Sequence, residues 1–490
     1  MTAHLVARMN SLAIRDTGKA LSSSYSPFDF IPPELLSHIF DEITHTSYSD
    51  EKITFARLCL VSSQFLPVAQ DHLYRKLVLD LSPATPPSTE YTRRDNFQHP
   101  SLQLLALVKE ARIFFDTPEG LPRLAQSLQD MTNVQHLYVE DKLYDGHDSV
   151  LEKDPGEFER RNATSFHIAS TLVDLHERSS LRTLIIPRIR LSPCSASHLI
   201  TGLPHLQIYR GAIFGPDPLS STSPRSSENP PSSLTRLHVS YFFFQSDLRW
   251  SFPRFAHTLR FLTLELRWYS RPTEIDLLVN LETLVVTAHF IPLTQAAVNL
   301  LTPKSSTTDQ LGNAISTLLC NVDLLVKSGQ NLPNFRSYSL MVNLVGHCVI
   351  NFCENHFPNL PHALEEIAFG PKSVASEEER IPFHLLYNNE DKFPKFKKIT
   401  LPYHNYLGVI SSSPEAAKSI TRERVSSWIN FREWDFEASK GIEVKWIEAE
   451  KWEEWYNEKF YGEVGLEPEE SFIEDKEFEG PVSPSGCTHA

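Results

Sequence analysis

Glycine is scarce in this sequence, with 17 residues in 490. Many catalytic and nucleotide-binding sites need glycine where the backbone comes close to a phosphate or a cofactor. The sequence has no G-x-S-x-G, no G-x-x-x-x-G-K, no H-E-x-x-H, and no G-x-G-x-x-G following a strand pattern. We therefore predict that the protein is not an enzyme and binds no cofactor.

Cysteine and long apolar runs are also lacking. The six cysteines are scattered without the spacing of a disulfide framework, which favours reduced thiols and a cytoplasmic or nuclear location. No apolar run approaches the roughly 20 residues that cross a bilayer, so no membrane association is predicted. Residues 1–26 weakly resemble an organelle transit peptide, but a disordered leader is the favoured interpretation.

The sequence has no excess of positive charge of the kind that indicates a nucleic-acid-binding surface. The formal net charge is -15, and residues 463–490 contribute eight acids against one lysine. A phosphate-binding protein would normally carry a basic face, so we predict no nucleic-acid partner. The acidic segment 463–490 is predicted to be a disordered tail, and the Pro- and Ser-rich segment 81–100 to be a linker.

The segment 27–80 has the pattern of a small all-helical domain. The pair Pro32-Pro33 followed by Glu34 is typical of a first helical turn. The next apolar residues share one helical face. They are Leu35, Leu36, Ile39, Phe40 and Ile43. A second helix is predicted around Phe55 to Phe65, with a break at Ser62-Ser63 before a third.

A six-residue pattern, L-x-x-L-x-L, recurs in the central part of the chain. Its clear copies lie at 181–186, 203–208, 234–239, 259–264 and 281–286, and looser copies lie at 134–139, 335–340, 364–369 and 396–401. Fourth positions of the clear copies are 22, 31, 25 and 22 residues apart. Leucine-rich repeats have steps of about 20 to 29 residues, so most of these spacings are typical of that class.

Each copy can bury its alternating apolar side chains only by stacking on its neighbours. We therefore predict an α/β fold: an irregular leucine-rich-repeat solenoid over 101–410, with parallel strands on one side and helices on the other. Residues 411–462 are predicted to form a capping element. It would contain a closing strand at 441–446 and a helix with Trp452, Trp455, Tyr456 and Phe460 on one face.

The first helical segment resembles the F-box family. The residues Ile31-Pro32-Pro33-Glu34-Leu35-Leu36-Ser37-His38-Ile39-Phe40 look like that family's opening L-P-x-E-[LI]-[LI]-x-x-[IV]-[FL]. The residues Leu58-Cys59-Leu60-Val61-Ser62-Ser63-Gln64-Phe65 look like its later L-x-x-V-[CS]-[KR]-x-[WF]. Two features depart from the family pattern: the insertion at 44–52 is long, and Phe65 stands where many members have Trp.

The resemblance implies a substrate adaptor of a ubiquitin ligase. F-box proteins dock this helical unit on a Skp-type adaptor of a cullin-RING ligase and present a protein substrate with the domain that follows. Carried over by residue, the adaptor contact would involve six positions, some of which must also hold the helical unit together. They are Pro33, Leu35, Leu36, Ile39, Val61 and Phe65.

Two alternatives remain open. The helical segment can instead be an N-terminal cap of the solenoid, and the repeats can be an interaction scaffold that acts without a ubiquitin ligase. Binding or failure to bind a Skp-type adaptor distinguishes these alternatives from the adaptor hypothesis.

Two further groups of residues are candidate sites in the repeat region. Arg267, Trp268, Tyr269 and Arg271 directly follow a strand pattern, and residues of these types are enriched where proteins bind partners. They are candidate substrate contacts. A second group superficially resembles a metal site: His347, Cys348, Cys353, His356 and His362. Its spacing and apolar neighbours favour a buried helix, so no metal site is predicted.

Overall fold

A computed structural model describes residues 31–43, 48–81, 105–115, 120–141, 167–174, 181–191, 193–213, 233–240, 256–267, 275–289, 307–342, 348–370, 384–387, 389, 391–403, 441–448 and 451–461. The chain forms two compact units. The described residues of the first lie within Met1–Leu77 and Ser101–Glu110, and those of the second lie within Val78–Pro100 and Ala111–Val464.

The described part of the first unit contains three helices: α1 (Pro33–Asp41), α2 (Tyr48–Leu58) and α3 (Phe65–Arg75). Pro32 is the N-cap of α1 with extended backbone angles, and its carbonyl accepts hydrogen bonds from the amides of Leu35 and Leu36. The Pro-Pro pair therefore starts the helix, as the sequence predicts. The three helices enclose a small core. Its buried members are Leu36, Phe40, Phe55, Phe65, Ala69 and Leu73.

The described strands form one twelve-stranded sheet in which the strand order is the chain order. The strands are β1 (Lys76–Asp80), β2 (Glu110–Phe115), β3 (His136–Asp141), β4 (Thr183–Leu191), β5 (Ile208–Ile213), β6 (Arg236–Ser240), β7 (Phe261–Arg267), β8 (Thr283–His289), β9 (Ser337–Val342), β10 (Glu366–Phe369), β11 (Lys398–Tyr403) and β12 (Glu443–Glu448). Pairings from β3 to β12 are parallel. This is an α/β fold compatible with a solenoid-like repeat, and β12 is the predicted closing strand.

One hydrogen-bond motif fixes the register between successive repeats. The carbonyl of the residue before one strand accepts hydrogen bonds from two amides at the start of the next strand. For example, the Arg260 carbonyl accepts the amides of Glu282 at 2.8 Å and Thr283 at 3.0 Å. The Glu282 carbonyl accepts the amides of Arg336 and Ser337 in the same way. Because the motif recurs along the sheet, each repeat is aligned with the one before it despite insertions of different length.

The pairing corrects one predicted copy of the repeat. Leu184 of β4 pairs with Tyr209 of β5, and Tyr209 pairs with Leu237 of β6. The copy expected at 203–208 is therefore wrong by three residues: Leu206 takes the first position and Tyr209 the fourth. Leu203 and Leu206 are both buried, so apolar spacing alone did not distinguish them. The two steps become 25 and 28 residues, which is more regular than 22 and 31.

Helices described in the second unit are α4 (Gly120–Asp130), α5 (Pro193–Gly202), α6 (Thr307–Ser328), α7 (Cys348–His356), α8 (His384–Tyr387) and α9 (Trp452–Tyr461), with a 3-10 turn at Phe357–Asn359. α5 contacts β4 and β5, and α6 contacts β7 and β8. The strand side chains on this face are almost all apolar and buried. They include Leu237, Leu262, Leu264, Leu284, Val286 and Leu340.

The last helix, α9, lies on the opposite face of the sheet. Its residues contact Arg236 and His238 of β6, Thr263 of β7 and Met341 of β9, which alternate with the leucines along each strand. The sequence interpretation placed this helix at the end of the repeat array, whereas the structure places it across middle strands. No helix in the described part of the chain is long and apolar enough to cross a membrane.

Candidate functional site

Four rings fill the core of the first unit. The ring centroid of Phe40 lies 5.7 Å from Phe55, 5.9 Å from Phe65 and 5.8 Å from His72. His72 also stacks on Phe55 at 5.0 Å. Because α1 and α2 contribute one ring each and α3 contributes two, the aromatic side chains hold α1, α2 and α3 together.

A tight turn connects α2 to α3. The Val61 amide bonds to the Leu58 carbonyl at 3.1 Å, and the Ser62 carbonyl accepts the amides of Phe65 and Leu66 at 3.1 and 3.2 Å. The Ser62 hydroxyl oxygen accepts the Gln64 amide at 3.2 Å. With its backbone bonded locally, the turn holds the Leu60 and Val61 side chains in solvent, with 87% and 59% of their surface exposed.

The first unit exposes an unusual share of large apolar side chains. Seven large hydrophobic residues are exposed in the described part of the chain, and five of them belong to this small unit. They are Leu35, Ile53, Leu60, Val61 and Leu66. Scattered exposed leucines are ordinary, but a concentration in one small helical unit is typical of a protein-binding surface. We call these five residues the apolar surface of the first unit.

The predicted adaptor contacts divide into two groups. Pro33, Leu35 and Val61 are exposed, and Ile39 is half-buried, so these four side chains are accessible to a partner. By contrast, Leu36 and Phe65 lie in the core. Their burial matches the expectation that some motif residues hold the helical unit together. A partner contact for any of them stays a prediction.

Sequence reasoning missed three residues of the apolar surface: Ile53, Leu60 and Leu66. A signal for Leu60 was present, because Leu58, Cys59, Leu60 and Val61 form a run of four consecutive apolar residues. One helical face cannot bury four successive side chains, so part of such a run must point outward. Ile53 and Leu66 gave no comparable signal, since both are compatible with a helical core position.

Two ion pairs connect charged side chains of this unit. Arg75 lies 3.3 Å from Asp41, and Lys109 lies 3.4 Å from Asp71. Burial raises the pKa of the Cys59 thiol, which therefore stays protonated and behaves as a small apolar group. The unit thus has no activated nucleophile at this cysteine.

The predicted substrate contacts lie largely outside the described residues. Arg267 is the last residue of β7, where its backbone pairs with His289 of β8. Trp268, Tyr269 and Arg271 lie outside the described residues. Their role as substrate contacts stays a prediction.

Two described histidines of the group that resembles a metal site have other partners. The His356 ring lies 2.9 Å from the Tyr338 hydroxyl through Nε2 and 3.3 Å from Asp323 through Nδ1. His362 Nδ1 lies 3.1 Å from the Lys392 carbonyl. Burial lowers the pKa of His356 although Asp323 favours its charged form, and burial raises the pKa of Cys353. Among the described residues, no group of three or more His, Cys, Asp or Glu side chains could hold a metal ion.

Comparison with known proteins identifies no relative. No protein-family model matches the sequence, and no curated protein is significantly similar to it. Function must therefore be argued from the residues and their geometry.

Proposed function

We propose that this protein is the substrate-recognition adaptor of a Skp-cullin-F-box type ubiquitin ligase. In this proposal the first unit binds a Skp-type adaptor through its apolar surface, and the second unit binds a protein substrate. The observation that carries the proposal is the concentration of exposed apolar side chains in the unit whose sequence resembles the F-box.

Energetics support a partner at this surface. Fully burying a Leu, Ile or Val side chain contributes about 1.5 to 3 kcal/mol, so covering Leu60 and Val61 would add substantially to affinity. A unit of this size also has little apolar area left for further burial in its own core, because four rings already fill it. The exposed side chains are therefore better explained by binding than by folding.

In the same proposal, the second unit is the part that binds the protein substrate. We propose that its strands are degenerate leucine-rich repeats, a class that usually binds proteins, and that the protein works in the cytoplasm or the nucleus without catalytic activity of its own.

Binding of the full chain to a purified Skp-type adaptor tests the proposal. We expect saturable binding by isothermal titration calorimetry. Leu60→Asp and Val61→Asp should each weaken it at least tenfold, because an aspartate must be desolvated at an apolar interface. Leu277→Asp is the matched control, since Leu277 is an exposed leucine of the second unit with 44% of its surface accessible.

Two outcomes contradict the proposal. One is that the wild-type chain does not bind the adaptor, and the other is that Leu60→Asp and Leu277→Asp bind equally well. The first outcome favours a repeat scaffold that acts without a ligase, or a first unit that only caps the repeats. Circular dichroism of each variant confirms that helix content is unchanged.

A further inference from the structure

The two faces of the sheet have different chemistry. The face covered by α5 and α6 is lined by leucine, isoleucine and valine, as described above. The opposite face carries many polar side chains on β5 to β10. They include Arg210, Arg236, His238, Thr263, Glu265, Thr283, Ser337, Ser339 and Glu366. We call this second surface the polar face. A surface of this composition can be exposed to water without the cost of exposing an apolar core.

Helix α9 lies on the polar face and buries a row of aromatic side chains there. Trp452, Trp455, Tyr456 and Phe460 are each at most 8% exposed. Their positions i, i+3, i+4 and i+8 follow one side of a helix. Glu453, Glu454 and Glu458 point to solvent on the other side. α9 is thus an amphipathic helix whose apolar side is aromatic, and Trp and Tyr are the residue types that dominate binding hot spots.

The polar face contacts α9 through specific side-chain interactions. The Tyr456 hydroxyl lies 2.7 Å from Thr263 Oγ1 and 2.9 Å from His238 Nδ1. The ring of Phe460 packs edge-on against Phe261 at 5.3 Å. The Trp452 indole lies 3.1 Å from the Met341 sulfur through Nε1. Three aromatic residues of the helix therefore contact side chains of β6, β7 and β9, and Tyr456 and Phe460 share His238 and Phe261 as partners.

The Arg236 side chain binds the backbone carbonyls at the C-terminal end of α9. Its guanidinium donates to the Lys459 carbonyl at 2.7 Å and also to the Phe460 carbonyl. The last carbonyls of a helix have no partner within the helix and carry partial negative charge, so the half-buried Arg236 stabilises them. Because the contact is to backbone, Arg236 can accept the C-terminal end of other helices that lie in this position.

α9 is attached to the polar face without belonging to the sheet. The contacts described between α9 and the strands involve side chains, and none is part of the strand-to-strand hydrogen bonding. A helix of ten residues is about 15 Å long, which spans about three strand spacings of 4.8 Å. It therefore covers the middle of the polar face as a layer separate from the sheet.

We propose that the polar face of β5 to β10 is a helix-recognition surface and that α9 is its intramolecular occupant. The external partner is an amphipathic helix of a protein that carries large aromatic residues at the α9 spacing. Such a helix binds by displacing α9. This inference goes beyond the ligase proposal and does not depend on it, because no ligase component takes part in the exchange.

A fluorescein-labelled peptide of residues 449–462 tests the exchange on full-length protein. Fluorescence anisotropy is measured with the wild-type chain and with Tyr456→Ala/Phe460→Ala, in which the tethered helix loses two anchors. A short tether gives an effective concentration of about millimolar, so wild-type α9 should outcompete the free peptide. We expect the double variant to bind the peptide at least tenfold more tightly than the wild-type chain.

A matched control uses the solvent side of the same helix. Glu454→Ala/Glu458→Ala should bind the peptide as weakly as the wild-type chain does. Adding Arg236→Ala to the double variant should weaken peptide binding again, because the helix end loses its partner. A second peptide of unrelated sequence with Trp, Trp, Tyr and Phe at the α9 spacing should bind the double variant within tenfold of the first.

Every other outcome overturns the proposal. Equal binding by wild type and double variant means that α9 does not occupy the surface, and a folded double variant that binds no peptide means that there is no such surface. A double variant that loses cooperative thermal unfolding means that α9 is an integral part of the fold. Binding of the first peptide but not the second overturns the assigned class of partner.

Discussion

Two tyrosines occupy the same position in different repeats with opposite consequences for stability. Strand pairing aligns Tyr209 of β5 with Leu237, Leu262, Leu284 and then Tyr338 of β9. Both tyrosines are fully buried. The Tyr338 hydroxyl is hydrogen-bonded to His356, whereas the Tyr209 hydroxyl has no hydrogen-bond partner in the described part of the chain. A buried hydroxyl without a partner destabilises a fold, and a paired one does not.

We predict that Tyr209→Phe increases the free energy of unfolding by about 1 kcal/mol, because it removes the desolvated hydroxyl and keeps the ring. Tyr338→Phe should decrease it by about 1 to 2 kcal/mol, since His356 Nε2 then loses its partner. Urea unfolding followed by tryptophan fluorescence measures both. The same sign for both substitutions would contradict the explanation.

His72 makes the first unit sensitive to acid. Its ring stacks on Phe55 and meets Phe40 edge-on, and neither ring nitrogen has a hydrogen-bond partner among the residues that the structure describes. Nε2 is 3.8 Å from the Asp41 carboxylate, which is too long for a hydrogen bond. Burial lowers the pKa of His72; Asp41 and Asp71 oppose this effect, whereas Arg75 and Lys109 add to it.

Because the pKa of His72 is lower in the folded state, the unfolded state binds more protons below about pH 6.5. The neutral ring therefore stabilises the unit above that pH, and the stabilisation is lost as pH falls toward the lowered pKa. We predict faster hydrogen exchange in α3 at pH 5.5 than at pH 7.5, after correction for intrinsic rates. His72→Phe should reduce this difference. An unchanged difference would assign the acid sensitivity to other groups.

At the scale of the element, each strand is held by its buried leucines and by the carbonyl motif that aligns it with its neighbour. Leu262 of β7 is fully buried, whereas Leu277 in the following connection is 44% exposed. Leu262→Ala should decrease the free energy of unfolding by about 3 kcal/mol, because it leaves a cavity in the core. Leu277→Ala should change it by less than about 0.5 kcal/mol. Thermal unfolding of the two variants measures the contrast, and similar effects would contradict the assigned faces.

Local patterns in the sequence predicted the elements that local chemistry controls. The Pro32-Pro33 pair gave the start of α1, and strands appeared where alternating leucines predicted them. The copy at 203–208 was misaligned because Leu203 and Leu206 are both buried, and only pairing with β4 distinguishes them. The packing of α9 was missed for a different reason: Tyr456 contacts His238, a residue 218 positions away in the chain. Helical periodicity shows which side of a helix is apolar but not which surface covers it.

At the scale of the whole molecule, the two proposed binding surfaces belong to different compact units. The apolar surface of the first unit contains Leu60 and Val61, and the polar face of the second contains Arg236 and His238. No residue is shared between them, and substitutions at separate sites without common partners usually have additive effects. The two binding activities should therefore be separable by mutation.

In a full-length chain that carries Tyr456→Ala/Phe460→Ala, Leu60→Asp should weaken binding to the Skp-type adaptor at least tenfold and leave binding of the α9 peptide within about twofold. Arg236→Ala should have the opposite pattern, because it removes the contact with the helix end and changes no residue of the first unit. Calorimetry with the adaptor and anisotropy with the peptide, on the parent double variant and its two derivatives, measure these affinities. If either substitution weakens both activities equally, the surfaces are coupled, and a single interface would have to replace the two proposed here.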